Sequence, residues 1–162
     1  MRPADIDESE IPGETPRQLA ERLARSKASS VPSENAIVLG SDTVVAVGRR
    51  ILPKTEDEKS ARACLELLSG RGHRVWTGVA LLAPDGRMSS RLVETRVAFK
   101  RLPSDEIDAY IASGEWQGKA AGYGIQGMAE AFVIRLAGSY SGVMGLPLYE
   151  TAKLLKRAKV LF

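Results

Sequence analysis

Residues 36–48 read Ala-Ile-Val-Leu-Gly-Ser-Asp-Thr-Val-Val-Ala-Val-Gly. The continuous apolar run Ala36 to Gly40 predicts a strand buried on both faces. It leads into Ser41-Asp42-Thr43, and Val44-Val45-Ala46-Val47 continue beyond. Gly48 marks a turn, and Ile51-Leu52 begin a short return. In α/β folds, functional groups gather at the carboxyl ends of strands. A carboxylate such as Asp42, set directly after a buried strand, can ligate a divalent cation or take a proton from water. It can also close a turn through its own backbone.

Upstream, residues 1–14 read as an extended or loop segment with an acid cluster, Asp5, Asp7, Glu8 and Glu10. Thr15-Pro16-Arg17-Gln18 is a capping box with proline at the first helical position. Leu19, Ala20, Leu23 and Ala24 give the following helix its apolar stripe. Ser29 to Glu34 read as its exit loop.

Downstream, Thr55-Glu56-Asp57-Glu58 reads as a second capping box, before a helix carrying Ala61, Cys64, Leu65 and Leu68 and stopped by Gly70. Val75 to Leu82 and Arg91 to Arg101 are two strands joined through Pro84-Asp85-Gly86. The alternation of Val93, Thr95, Val97 and Phe99 gives the second strand one buried face. A short helix from Ser104 closes at Gly114, and Glu115 to Gly127 is a polar, glycine-rich loop. Phe132-Val133-Ile134 is a further strand, Gly138 to Gly145 a further loop, and Pro147 starts a last helix. The order of elements predicts an α/β protein: one domain with a mixed β-sheet flanked by helices, not a regular doubly wound fold.

The 162 residues suffice for one domain with a sizeable core, and 44% hydrophobic with 27% charged residues is a globular composition. No apolar run is long enough to span a bilayer and no signal-peptide core is present, so the expected location is cytoplasmic. The single Cys64 excludes an internal disulfide and a cysteine-based metal cluster. The net charge of +3 comes from basic residues scattered among acids, without a basic run or interleaved aromatics. That pattern disfavours a nucleic-acid partner, which would bind with steep salt dependence, and suits a small anionic substrate.

Other residue types could carry chemistry. Lys119 follows Gly118, where a lysine can reach a phosphate while the backbone approaches closely. It does not belong to a Walker A loop: the spacing from Gly114 is one residue short, and Ala120 stands where Ser or Thr is required. Gln126, within Gly122-Tyr123-Gly124-Ile125-Gln126-Gly127, can both donate and accept at a base edge. His73, the only histidine, reads as structural. Trp76 reads as strand packing, and Trp116 is the better placed of the two tryptophans to stack on a base.

Taken together, these stretches resemble the Maf family of nucleotide pyrophosphatases. The likeness runs through Ile6-Asp7-Glu8, Gly40-Ser41-Asp42-Thr43-Val44-Val45, Leu68-Ser69-Gly70, His73-Arg74-Val75 and Thr77-Gly78-Val79. It continues through Tyr110 to Glu115, Gly118-Lys119-Ala120, Tyr123 to Gly127, Gly138 to Ser141 and Val143 to Leu148. The resemblance implies a fold like that of the inosine triphosphate pyrophosphatases. It also implies hydrolysis of nucleoside triphosphates to monophosphate and pyrophosphate with Mg²⁺ or Mn²⁺, and a homodimer. Asp42 matches the family's proton acceptor, and Glu8 a site acid that would share the metal with it. Lys54 and Lys119 match phosphate-facing lysines, and Thr43 and Gln126 match positions that set base choice. Asp-Thr together with Tyr-Gly-Ile-Gln-Gly is similar to the subgroup acting on dTTP and UTP.

Three features depart from the family pattern. The chain starts just upstream of Ile6-Asp7-Glu8. The resemblance therefore implies a Maf-like domain lacking the family's first strand and its phosphate-binding Ser-x-Ser-Pro-Arg-Arg turn. Lys54 lies between Pro53 and Thr55, where Gly-Lys-Pro is common, and Ala121 stands at a position usually held by glycine. A competing expectation follows from these departures: a catalytically impaired nucleotide-binding or regulatory protein, of the kind linked to septum formation.

Overall fold

The computed structural model describes residues 6–31 and 35–160. Asp5 of the acid cluster and residues 32–34 of the expected exit loop lie outside the described residues. The elements run α1 (Pro16–Ser30), β1 (Val38–Val47), β2 (Arg50–Leu52), α2 (Glu58–Leu68), β3 (Gly72–Leu82), β4 (Met88–Phe99), α3 (Ser104–Ser113), a 3₁₀ turn (Met128–Phe132), β5 (Val133–Ala137), α4 (Tyr140–Val143) and α5 (Leu148–Arg157). The five strands form one sheet in the order β2-β1-β3-β4-β5. The α/β class with helices flanking a sheet is as read from the sequence. All four ladders are antiparallel, so the described strands do not include the parallel pairing that a mixed sheet would have.

The local signals explain most element ends. Thr15 caps α1 through the expected box: its hydroxyl accepts from the Gln18 N–H, and Gln18 reaches back to the Thr15 backbone. Gly114 ends α3 at φ 72°, a left-handed position that glycine takes without a Cβ penalty. The second expected box is corrected. Asp57, not Thr55, caps α2, accepting from the Ser60 N–H at 2.7 Å. Thr55 is wholly buried and donates to the Trp116 carbonyl at 2.8 Å. Its hydroxyl is needed to tie a distant loop, so the cap falls to the next suitable side chain.

Strand β1 also differs from expectation. It does not end at Gly40 but runs on to Val47, so Asp42 lies in mid-strand, paired with Gly78 of β3. The run Ala36–Gly40 is not buried on both faces, and Leu39 is 40% exposed. The reason is topological. Strand β2 pairs only with Val45–Val47, so among the described residues the Val38–Val44 stretch has a ladder on its β3 side alone.

The sheet has two differently covered faces. Helix α1 packs on one, with Leu19, Ala20 and Leu23 on Val44 and Trp76, and Ala24 and Ala28 on Ala80. The larger core lies on the other face, where Val45, Val75, Val97 and Phe99 meet α2, α3 and the aromatic side chains Tyr110, Tyr123 and Phe132. Helix α5 adds Leu154 against Val79 and Leu81. Cys64 is buried in this core.

Helix α1 lies unusually close to the sheet. A Cβ added to Gly40 would collide with the backbone of Ala24 and Ala28, and one added to Gly78 would strike the Ala20 carbonyl. Alanines every fourth residue on the helix and glycines on two paired strands therefore form a flat contact. Gly72, on the same strand as Gly78, has open space where its Cβ would stand. Gly78→Ala is expected to lower the free energy of unfolding by about 2 kcal/mol, and Gly72→Ala to leave it within about 0.5 kcal/mol, both read from urea denaturation.

Candidate active site

Two clefts flank the part of β1 that β2 leaves open. Because side chains alternate across a strand, Asp42 and Thr43 point to opposite faces of the sheet. Asp42 lies on the α1 side, in a cleft of about 380 Å³ that Glu8, Lys27 and Lys54 also line. Thr43 lies on the side of the large core, and a second cleft of about 240 Å³ there is lined by Lys119, Tyr123, Gly124 and Gln126. Thr43, Gly118 and Ala120 line both clefts, so the two adjoin at the strand edge.

The loop that joins the halves is stitched to the segment after β2. Gly118 N–H donates to Thr55 O at 2.9 Å, Thr55 N–H to Lys119 O at 3.1 Å, and Ala121 N–H to Pro53 O at 2.9 Å. Lys54 bridges to Ala120 in the same pattern. Lys54 and Lys119, 65 positions apart in sequence, are thereby fixed on either side of the seam. Ala121 sits at φ 56° and Gly122 at φ 72°, a left-handed pair. Glycine takes such a position at no steric cost, and Ala121 adopts it despite its Cβ.

The acid end has a defined charge arrangement. Lys27 Nζ, in the last turn of α1, lies 2.5 Å from Asp42 Oδ1 and 2.7 Å from Glu8 Oε1. Burial opposes the positive charge of Lys27, but the two carboxylate hydrogen bonds outweigh it and hold its pKa above the ordinary value. Burial pushes the Asp42 carboxyl above the usual range. The hydrogen bond and charge of Lys27 pull the other way without cancelling it. A carboxyl held between a cation and a low-dielectric wall is poised for proton exchange.

The second cleft is braced from behind by aromatic side chains. His73 Nε2 lies 2.8 Å from the Tyr123 hydroxyl, and His73, Phe99 and Tyr123 stack edge to face. Tyr110 accepts from the Gly124 N–H at 3.3 Å. Gly124 lies between the side chains of Lys119 and Gln126. His73 is 3% exposed, which agrees with its structural reading, and burial lowers its pKa to about 4.

All six residues singled out from the sequence, Glu8, Asp42, Thr43, Lys54, Lys119 and Gln126, line one or other of these two clefts. Trp116 does not. It is 4% exposed and its indole N–H donates to Ile111 O at 2.9 Å, so it anchors the loop from inside and is not available to stack on a base. Lys27 was missed. A lysine in the last helical turn looks like an ordinary complement to the helix dipole, and only the approach of α1 to β1 reveals its partners.

Comparison with known proteins bears on what this arrangement does. The profile of the Maf family, described as Maf-like protein, matches residues 1–158. A dTTP/UTP pyrophosphatase of Maricaulis maris is 65% identical over 156 residues, covering 96% of this chain and 75% of that protein. One from Caulobacter vibrioides is 61% identical over 155 residues, covering 94% and 80% respectively. One from Chelativorans sp. is 57% identical over 161 residues, covering 94% and 77%.

Two outcomes follow from the charges. Lys27→Met leaves Glu8 and Asp42 facing each other unpaired. It is expected to lower stability by about 2 kcal/mol at pH 7, with the deficit shrinking as acid protonates Asp42, whose carboxyl burial holds above the usual range. For His73 the folded pKa, about 4, lies below the ordinary 6.5. The unfolded chain therefore binds the proton first, and stability falls as pH drops from 6.5 towards 4. That loss amounts to about 3 kcal/mol at most. It should be missing from the acid limb of a His73→Gln unfolding profile.

Proposed function

The chain belongs to the Maf family, and from that premise we propose that it hydrolyses nucleoside triphosphates, dTTP and UTP first, to the monophosphate and pyrophosphate. The observation that carries this reading is the pair of adjoining clefts at the edge of β1, with carboxylates and Lys27 in one and Gln126 in the other. An elongated anionic nucleotide has matching needs: charge neutralisation for its phosphates and directed hydrogen bonds for its base. The names of the relatives support the same substrates.

In this reading the triphosphate lies along the acid cleft and across the seam, with Lys54 and Lys119 neutralising its charge. Water attacks the α-phosphorus in line with the departing pyrophosphate, and Asp42 accepts the proton that the water gives up. The Lys27 ammonium keeps Asp42 oriented. Gln126 and Thr43 hold the base.

The donor set suits a hard divalent cation. Glu8 and Asp42 are carboxylates that already share one positive partner. No group of three or more His, Cys, Asp or Glu residues that could hold a metal ion occurs among the described residues. Glu8 and Asp42 would suit Mg²⁺ or Mn²⁺ held jointly with substrate phosphates, not a closed protein cage. When bound there, the cation would supply charge neutralisation at the phosphates. A homodimer and a cytoplasmic location belong to the same reading. Among the described residues no helix is long and apolar enough to cross a membrane.

Pyrophosphate release with Mg²⁺ or Mn²⁺ over dTTP, UTP, CTP and GTP tests the proposal. Release favouring dTTP and UTP is expected, reduced at least about 100-fold in Asp42→Asn. Tight binding of these nucleotides without turnover would instead favour the regulatory alternative.

A further inference from the structure

Thr77 lies directly opposite Thr43 in the β1–β3 ladder, on the face of the second cleft, and is 1% exposed. Its Oγ1 is 2.7 Å from Gly142 O and 3.2 Å from Thr43 Oγ1. A carbonyl oxygen can only accept, so the one hydroxyl hydrogen of Thr77 goes to Gly142. Toward Thr43, Thr77 therefore presents lone pairs. The Thr43 hydroxyl must then donate its own hydrogen inward to Thr77, and only its lone pairs remain for the cleft. Two hydroxyls that could each rotate freely are thus locked into one direction by a buried carbonyl.

We propose that Thr77 is a specificity-positioning residue: by committing the Thr43 hydrogen, it makes Thr43 a pure acceptor toward the base. This rests on the pyrophosphatase reading above and adds a physical rule to it. Uracil and thymine carry a ring N3–H, a donor that an acceptor-only Thr43 can receive. Cytosine has a bare N3 at the same position, and two facing acceptors repel. The relay therefore selects uracil and thymine nucleotides against cytosine nucleotides. Gln126 cannot impose that choice, because its amide offers a donor and an acceptor and can present either. Thr43 is partly exposed, so the discrimination expected from it is about tenfold and not the much larger factors of fully buried readout.

The relay also has a fixed geometry. Gly142 belongs to α4, and its N–H is held by Ser139 Oγ at 3.0 Å. Ser139 N–H in turn donates to Thr95 Oγ1 at 3.0 Å, on the neighbouring strand β4. The carbonyl that takes the Thr77 hydrogen is therefore supported from two strands and does not drift away.

The experiment compares kcat/KM and, by calorimetry, Kd for UTP, dTTP and CTP across the wild type, Thr77→Val and Thr77→Ser. Thr77→Val preserves shape and removes the relay. Thr43 then rotates and donates outward, and the UTP-to-CTP ratio should fall about tenfold. The serine variant should keep the ratio within about twofold. A ratio unchanged in a folded Thr77→Val, or equal losses for all three nucleotides, overturns the proposal and reduces Thr77 to a packing role. Wild-type protein also tests the rule without mutation: 3-methyl-UTP, lacking the N–H, should bind about tenfold more weakly than UTP, and equal binding overturns it. If no nucleotide is hydrolysed, the pyrophosphatase reading fails by itself, while the Kd ratios still decide the relay.

Discussion

The close approach of α1 to β1 and β3 is the constraint on which the acid end of the site depends. Gly40 and Gly78 have no side chains to hold the helix off, and Ala20, Ala24 and Ala28 add little bulk of their own. The last helical turn therefore comes down near the middle of β1, and Lys27 reaches Asp42 and Glu8. A helix displaced outward by the width of a methyl group would leave the lysine ammonium short of a charge-assisted hydrogen bond, whose length tolerance is only a few tenths of an ångström. Packing and electrostatics are coupled here. The glycines that look like weak strand formers are what permit the charged contact.

On the other face of the sheet, three hydroxyls hold one loop. Ser41 on β1 lies 2.6 Å from Gly145 O, Thr77 on β3 donates to Gly142 O, and Thr95 on β4 accepts from Ser139 N–H. These are adjacent strands, so the segment from Gly138 to Gly145 lies across the sheet like a strap. A Cβ at Gly138 would strike Thr95 and the backbone of Glu94. The segment therefore needs glycine in order to lie this close. Its backbone carbonyls accept hydrogens from the strands, and that fixes which way the strand hydroxyls point.

The glycine-rich tract that carries Gln126 is held in a third way. Tyr110, Tyr123 and His73 are all buried behind it; the Tyr123 hydroxyl meets His73 Nε2 and the Tyr110 hydroxyl meets the Gly124 N–H. Burial keeps His73 neutral at ordinary pH, so this bracing does not switch on or off near neutrality. A flexible-looking polar sequence is braced because the Tyr110 and Tyr123 hydroxyls behind it are hydrogen-bonded to Gly124 N–H and His73 Nε2.

The sequence by itself determined the class of fold, most of the strands and helices, and the six residues that line the site. Hydrophobic periodicity, caps and glycine stops are local, and the ordered set of short motifs was specific enough to indicate the family. Only the tertiary structure decided that Asp42 lies in mid-strand, that Asp57 and not Thr55 caps α2, and that Trp116 is an internal anchor. It also decided that Lys27 pairs with Glu8 and Asp42 and that Thr77 Oγ1 lies within hydrogen-bond distance of both Gly142 O and Thr43 Oγ1. Each of these depends on a partner far away in the chain: Gly78 for Asp42, the Trp116 carbonyl for Thr55, Asp42 for Lys27 and Gly142 for Thr77. Local sequence records which groups a residue carries, but the direction of a hydrogen or the pairing of a charge is set by whichever distant group the fold brings within about 3 Å.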